Sequence, residues 1–157
     1  MRKIFSAAGA ALLSGFMAHA QSTSAKVDHY SAQDIRKQLA ELAPKAKDSG
    51  SSGSTLGDYA NHQIKLSLRA TSGGSESHAH FVDIFFVTQG KATLITGGTI
   101  ENPKSIGDGE TQGSGIQGGH AETISVGDVV HIPAGTPHQI KVENGTIYSA
   151  IVIKVKQ

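Results

Sequence analysis

The stretch Gly127-Asp128-Val129-Val130-His131-Ile132-Pro133-Ala134-Gly135-Thr136-Pro137-His138 decides the reading of this chain. It opens with a short apolar strand over residues 129–132, followed by a tight turn punctuated by Pro133, Gly135 and Pro137. His138 follows at once, at the head of an alternating run over 139–142. Proline presets φ and glycine admits conformations other residues avoid, so the spacing predicts a turn between two strands. An earlier stretch, Glu76-Ser77-His78-Ala79-His80-Phe81-Val82-Asp83, supplies partners for that histidine and ends seven residues before Gly90. Two histidines at i and i+2 on a strand point to one face. A third, set just after a turn, reaches that face if the strands close into a barrel.

Working outward, residues 61–69 switch to a period of two: Ile64, Leu66 and Leu68 alternate with Gln63, Lys65, Ser67 and Arg69, which predicts a half-buried strand. Counting on in twos from Leu68 puts Glu76, His78 and His80 on the inward parity, provided Gly73-Gly74 does not reset the register. Residues 83–88 and 91–96 form a hairpin around Gln89-Gly90. Residues 97–119 are the least regular part, where glycines, Asn102-Pro103 and Gly107-Asp108-Gly109 argue against helix or sheet over most of the length. Strands return over 121–126, 139–142 and 146–155, with Glu143-Asn144-Gly145 as a hairpin signal between the last two. Seven or eight short strands at turn-limited spacing mean a sandwich or a small closed barrel.

Ahead of the strands, residues 30–43 read as a helix, with Ser31 to cap it and Ile35, Leu39 and Leu42 at 3.6-type spacing; Pro44 is expected to end it. Residues 45–55 are rich in glycine and serine and read as a mobile connector. The first twenty residues have the three parts of a signal peptide in order: Arg2 and Lys3, a small-residue apolar stretch, and Ala18-His19-Ala20 as a cleavage pattern before Gln21.

Composition narrows the function classes. A length of 157 residues suits one domain with a real core. With Arg2 and Lys3 removed, 12 basic residues face 13 acidic ones, a balance with no general attraction for nucleic acid or anionic membrane. There is no cysteine, so neither disulfides nor thiolate metal sites are available, and a metal must be held by nitrogen and oxygen.

Gly127-x5-Pro133-x-Gly135-x2-His138 resembles the second conserved motif of the cupin superfamily at every spacing, with Val142 where that motif often carries asparagine. His78-x-His80 followed by Asp83-x6-Gly90 resembles the first motif, with Asp in place of Glu and a shorter gap before it. The resemblance covers roughly residues 63–155. It implies an all-β fold, a small antiparallel barrel of the cupin or jelly-roll type with one N-terminal α-helix. The chain then divides into a signal peptide (1–20), a helix and flexible linker (21–60) and a cupin barrel (61–157).

The resemblance also implies one divalent transition metal, Fe, Mn, Ni, Cu or Zn, inside the barrel. The first motif fits in two ways. One gives His78, His80, Asp83 and His138 as ligands, and the pairing of His-x-His with this second motif favours it. The other, counted back from Gly90, gives Glu76, His78, Asp83 and His138. Asp83 and Glu76 are also the candidates for a catalytic base. The expected function is an exported metal-dependent enzyme on a small oxygen-containing substrate, dioxygenase-type chemistry placed ahead of isomerase or lyase chemistry. The alternatives are a non-catalytic periplasmic module binding a small ligand or metal, and a partner-binding protein with a vestigial pocket. A homodimer is expected from the resemblance.

Overall fold

The computed structural model describes residues 26–157. The proposed signal peptide lies outside the described residues. One helix, α1 (Ala32–Ser49), precedes thirteen strands: β1 (Ser51–Asp58), β2 (His62–Arg69), β3 (Ser75–His78), β4 (Phe81–Gln89), β5 (Lys91–Thr96), β6 (Thr99–Glu101), β7 (Lys104–Gly107), β8 (Glu110–Gly113), β9 (Gly115–Gln117), β10 (His120–Ser125), β11 (Val129–Ile132), β12 (His138–Lys141) and β13 (Tyr148–Lys156). They build a five-stranded sheet in the order β1-β2-β13-β4-β11, a six-stranded sheet β10-β5-β12-β3-β8-β7, and a two-stranded ribbon β6-β9. All strand pairs are antiparallel. The expected jelly-roll type of β fold with one N-terminal helix is what the structure has.

The helix begins where expected: the Ser31 hydroxyl accepts a hydrogen bond from the Asp34 amide at 3.1 Å. It does not stop at Pro44, which lies inside it. Both Pro44 and Ala40, whose carbonyl loses its partner, are exposed, so water can serve that carbonyl. Beyond them Ala46 is wholly buried, and Gly50, at φ 87°, supplies the left-handed cap that ends the helix. The expected connector over residues 45–55 is instead the end of α1 followed directly by β1, an edge strand paired with β2. Its small residues suit close approach: a Cβ on Gly53 would meet the Leu66 carbonyl oxygen at 2.7 Å.

The faces of β2 are opposite to the inward parity assumed from the sequence. Leu66 and Leu68 are buried with Leu39 and Ala46 under α1, on the outside of the barrel. Gln63, Lys65 and Ser67 face the interior, where they line a cavity. That interior is divided along its length. On β4, Val87 and Phe85 belong to an apolar core with Leu94, Ile124, Ile132, Ile140, Tyr148 and Ala150, while Asp83, two residues on, enters the polar end.

Residues 97–119 are also more ordered than expected. They form β6 to β9, strands of three and four residues joined by turns in which Gly97, Gly98, Asn102, Gly107, Asp108, Gly109 and Gly118 all take positive φ. Glycine here permits reversals so tight that short strands still pair.

Candidate metal centre

Strand β3 is the hub. Glu76 and His78 sit at i and i+2 and so share a face, and each has a cross-strand neighbour on a different side. Glu76 is opposite His138 on β12, and His78 is opposite Glu110 on β8. The Pro133–Pro137 turn is pinned onto β3, since the Gly135 amide donates to the His78 carbonyl at 2.8 Å and the Ser77 hydroxyl to the Gly135 carbonyl at 3.0 Å. This docking brings His138 to its place. Asp83 reaches the same spot from the facing sheet.

His138 Nε2 lies 3.4 Å from Glu76 Oε1 and 3.8 Å from Asp83 Oδ2, and His78 Nε2 lies 3.3 Å from Asp83 Oδ2. The two imidazole rings are 5.2 Å apart between centroids. One ligand atom from each of Glu76, His78 and His138 falls within 4.8 Å of the others, so the three can hold a metal ion. The outward nitrogens are engaged: His138 Nδ1 donates to the Thr136 carbonyl at 3.1 Å, and His78 Nδ1 bonds the Glu110 carboxylate. That leaves Nε2 of His138 buried with a lone pair and no hydrogen-bond partner, facing a carboxylate oxygen. Two lone pairs so placed call for a positive centre between them, and rings fixed by outer partners on Nδ1 are the usual setting of metal-bound histidine. The donor set fits a divalent ion.

No protein-family model matches the sequence, and no curated protein matches it significantly. Solved structures do match. An uncharacterized conserved protein with a double-stranded β-helix domain from Klebsiella pneumoniae is 11% identical, with a TM-score of 0.58 over 83% of this chain and 91% of that one. A Cupin 2 conserved barrel domain protein from Salinispora arenicola is 16% identical, with a TM-score of 0.50 over 84% and 90%. The fold is that of a cupin. DMSP lyase DddQ from Ruegeria pomeroyi is 14% identical with a TM-score of 0.50, covering 70% of this chain and 49% of the lyase, so the chain spans about half the lyase's length. At these identities the likeness is one of fold.

Of the two layouts for the first cupin motif, the structure gathers the residues of the second: Glu76, His78, Asp83 and His138. His80 is not among them. Strand β3 ends at His78, and Ala79-His80 form the turn into β4, so the alternation that would have aligned His80 with His78 is broken and its side chain is exposed. Asp83 is present but already engaged: Lys154 Nζ donates to its Oδ1 at 2.9 Å. His131 and His120 are exposed, and the His62 ring stacks on Tyr59.

Electrostatics follow from this packing. Burial pushes the Asp83 carboxyl up, but the hydrogen bond to His78 and the Lys154 ammonium outweigh it, and the group stays below its ordinary value. Burial acts likewise on Glu76, where His138 first, then the charges of His78 and Arg69, bring it down. Burial lowers His78, yet Asp83 and Glu110 overcome both that and the repulsion of Lys154, so its pKa is raised.

Sequence reading missed Glu110 and Lys154. Glu110 follows Gly107-Asp108-Gly109, a strong hairpin signal inside a segment read as irregular, and the hairpin is what returns the chain to β3. Lys154 lies in an almost unbroken apolar run, where alternation gives no hint of which residues face inward. The cavity onto which the cluster opens has a volume of about 390 Å³. A larger one, about 790 Å³, lies between α1 and the outer face of the five-stranded sheet, lined mainly by apolar side chains such as Ile35, Leu39 and Ile151, and takes no part in this site.

Proposed function

We propose that this cupin barrel is an exported metal-dependent enzyme that acts on a small oxygen-containing molecule by dioxygenase-type chemistry. The observation that carries the reading is the donor set: two histidines and one carboxylate, His78, His138 and Glu76, gathered at the edge of a cavity of about 390 Å³. A divalent iron held by two imidazoles and a carboxylate keeps coordination positions open to dioxygen and an oxygen-bearing substrate. The chain's own residues do the rest. Glu110 fixes the His78 ring, the Thr136 carbonyl fixes that of His138, and Phe85 packs edge-on to His138 with ring centroids 6.3 Å apart, closing the inner side of the site to water. Asp83, held ionised by His78 and Lys154, adds a fixed negative charge beside the site.

The test is spectroscopic. Protein loaded with ferrous ion is expected to bind azide or nitric oxide with a new absorption band, because positions remain exchangeable. A spectrum unmoved by either overturns the enzyme reading. One observation favours the second reading, a non-catalytic periplasmic module for metal or a small ligand: both candidate bases are already engaged, Asp83 with Lys154 and His78, and Glu76 with His138 in the metal-binding set. A closed coordination shell in the same experiment supports that module. Export is tested by N-terminal sequencing of the protein from periplasmic extract, with Gln21 expected first, and the homodimer by sedimentation of that material.

A further inference from the structure

The polar end of the barrel carries an unusual inventory of charge. Glu76, Asp83 and Glu110 face it, and so do Lys65 and Lys154, while Arg69 stands beside Glu76 and helps to lower its pKa. Three carboxylates therefore meet three permanent cations. The carboxylates are all engaged: Glu76 with His138, Asp83 with His78 and Lys154, Glu110 with His78. Among the cations Lys154 is committed to Asp83, and its ammonium also lies 5.5 Å from the centre of the Phe81 ring. Lys65 is different. Like Arg69 it has no carboxylate within ion-pair distance among the described residues, but unlike Arg69 it lines the cavity, where it is partly buried.

Its position is set by register. Gln63, Lys154 and Asp83 form one rung across β2, β13 and β4, and Lys65, Val152 and Phe85 form the next on the same face. Lys65 thus stands one rung from the Asp83–Lys154 pair, with the Gln63 side chain two residues along its own strand. A lysine that turns into a protein cavity without an anion to meet gives up hydration and gains nothing for it. A divalent ion at the metal centre would add two positive charges to a set already in balance, and the surplus calls for a negative ligand.

We infer that the cavity binds a small carboxylate-bearing molecule, its carboxylate received by Lys65 Nζ and by the one N–H of the Gln63 side-chain amide that is not already given to Asp58 Oδ1, which it meets at 3.1 Å. This rests on the metal centre proposed above and names the substrate class for that same site. A carboxylate is favoured over a phosphate because the receptor is one ammonium beside an amide. The one guanidinium of this end, Arg69, stands beside Glu76 and not among the residues that line this cavity, and no helix N-terminus lines it either, so the usual phosphate cradles are lacking on this wall. The volume of about 390 Å³ is that of a metabolite-sized pocket.

The experiment uses the zinc-loaded protein, its metal content measured before and after, titrated calorimetrically with succinate, with the neutral isostere succinamide, and with inorganic phosphate. Succinate is expected to bind, succinamide much more weakly, and phosphate more weakly than succinate. Lys65→Gln is expected to cost about tenfold or more in succinate affinity, the scale of a hydrogen bond to a charged group, with metal content unchanged. Lys65→Arg should restore most of it. Lys91→Gln, at an exposed pair with Glu143, should change nothing. Lys65→Met serves if Lys65→Gln does not fold by circular dichroism. Unchanged succinate affinity in folded Lys65→Gln or Lys65→Met, succinamide binding as tight as succinate, or phosphate binding tighter overturns the inference. Metal uptake without succinate binding overturns it alone; no metal uptake by the unaltered protein overturns the metal centre and this inference together.

Discussion

His78 is held between two acids, Asp83 at its Nε2 and Glu110 at its Nδ1, and this arrangement makes it a proton trap until a metal displaces the proton. Because its pKa is raised, the proton competes with the ion over a wider range than for a free imidazole. Metal affinity should therefore climb as pH rises through that raised value, above about 6.5, and level off beyond it. Competition with a chromogenic chelator at several pH values reads this directly; an affinity flat from neutral to alkaline pH contradicts it. The ligand assignment is tested at the same scale. His138→Ala should abolish uptake, Glu110→Gln should cost about 10- to 100-fold through loss of the ring's outer partner, and His80→Ala should leave affinity unchanged, since that side chain sits in an exposed turn. Loss of uptake in His80→Ala would restore the layout that places both histidines of the His-x-His pair on the ion.

At the scale of elements, α1 contains a proline that its sequence uses badly. Pro44 is exposed, forfeits a helix hydrogen bond and packs into nothing that compensates. Pro44→Ala is expected to stabilise the protein, by up to about 3 kcal/mol, read from denaturant unfolding at constant slope. A destabilised variant would mean that the proline fixes a bend the sheet requires. The same helix explains what could and could not be read in advance. The turn around Pro133, Gly135 and Pro137 was legible because its chemistry is local, and so were the turns at Gly90 and Asn144-Gly145; the hairpins expected there do not form, because each turn carries the chain from one sheet to the other, β4 to β5 and β12 to β13. The alternation in β2 was legible as two unlike faces, but not which one lay inside: Leu66 and Leu68 had an apolar partner outside the barrel, and only tertiary packing decides between a helix and a lumen. The end of the helix was misplaced because burial of Ala46 outweighs a proline. Glu110 was missed because its segment was judged by glycine content rather than by the hairpin those glycines permit.

At the scale of the whole molecule, the barrel is a compromise between a core and a container. One end is filled by Leu94, Phe85, Tyr148 and their neighbours; the other gives up apolar packing to hold paired charges. Such a container is less stable empty than filled, because an ion that binds only the folded state adds its binding free energy to folding, about 2.7 kcal/mol at a hundred times the dissociation constant. Chelator treatment is expected to lower the melting temperature and re-addition of metal to restore it, with no comparable shift in His138→Ala. An identical melting temperature with and without chelator would deny the site any share in stability.

The two faces of β2 separate shape from content. Leu66 and Leu68 moor the barrel to its helix, whereas Gln63, Lys65 and Ser67 furnish its inside, and the pleat keeps the two sets from interfering. A lineage bearing this scaffold can accordingly exchange its odd-numbered positions one at a time, changing what the vessel accepts while the vessel itself stays whole. Insertion or deletion of a single residue in that strand would do the reverse, turning the furnishings outward and the moorings in.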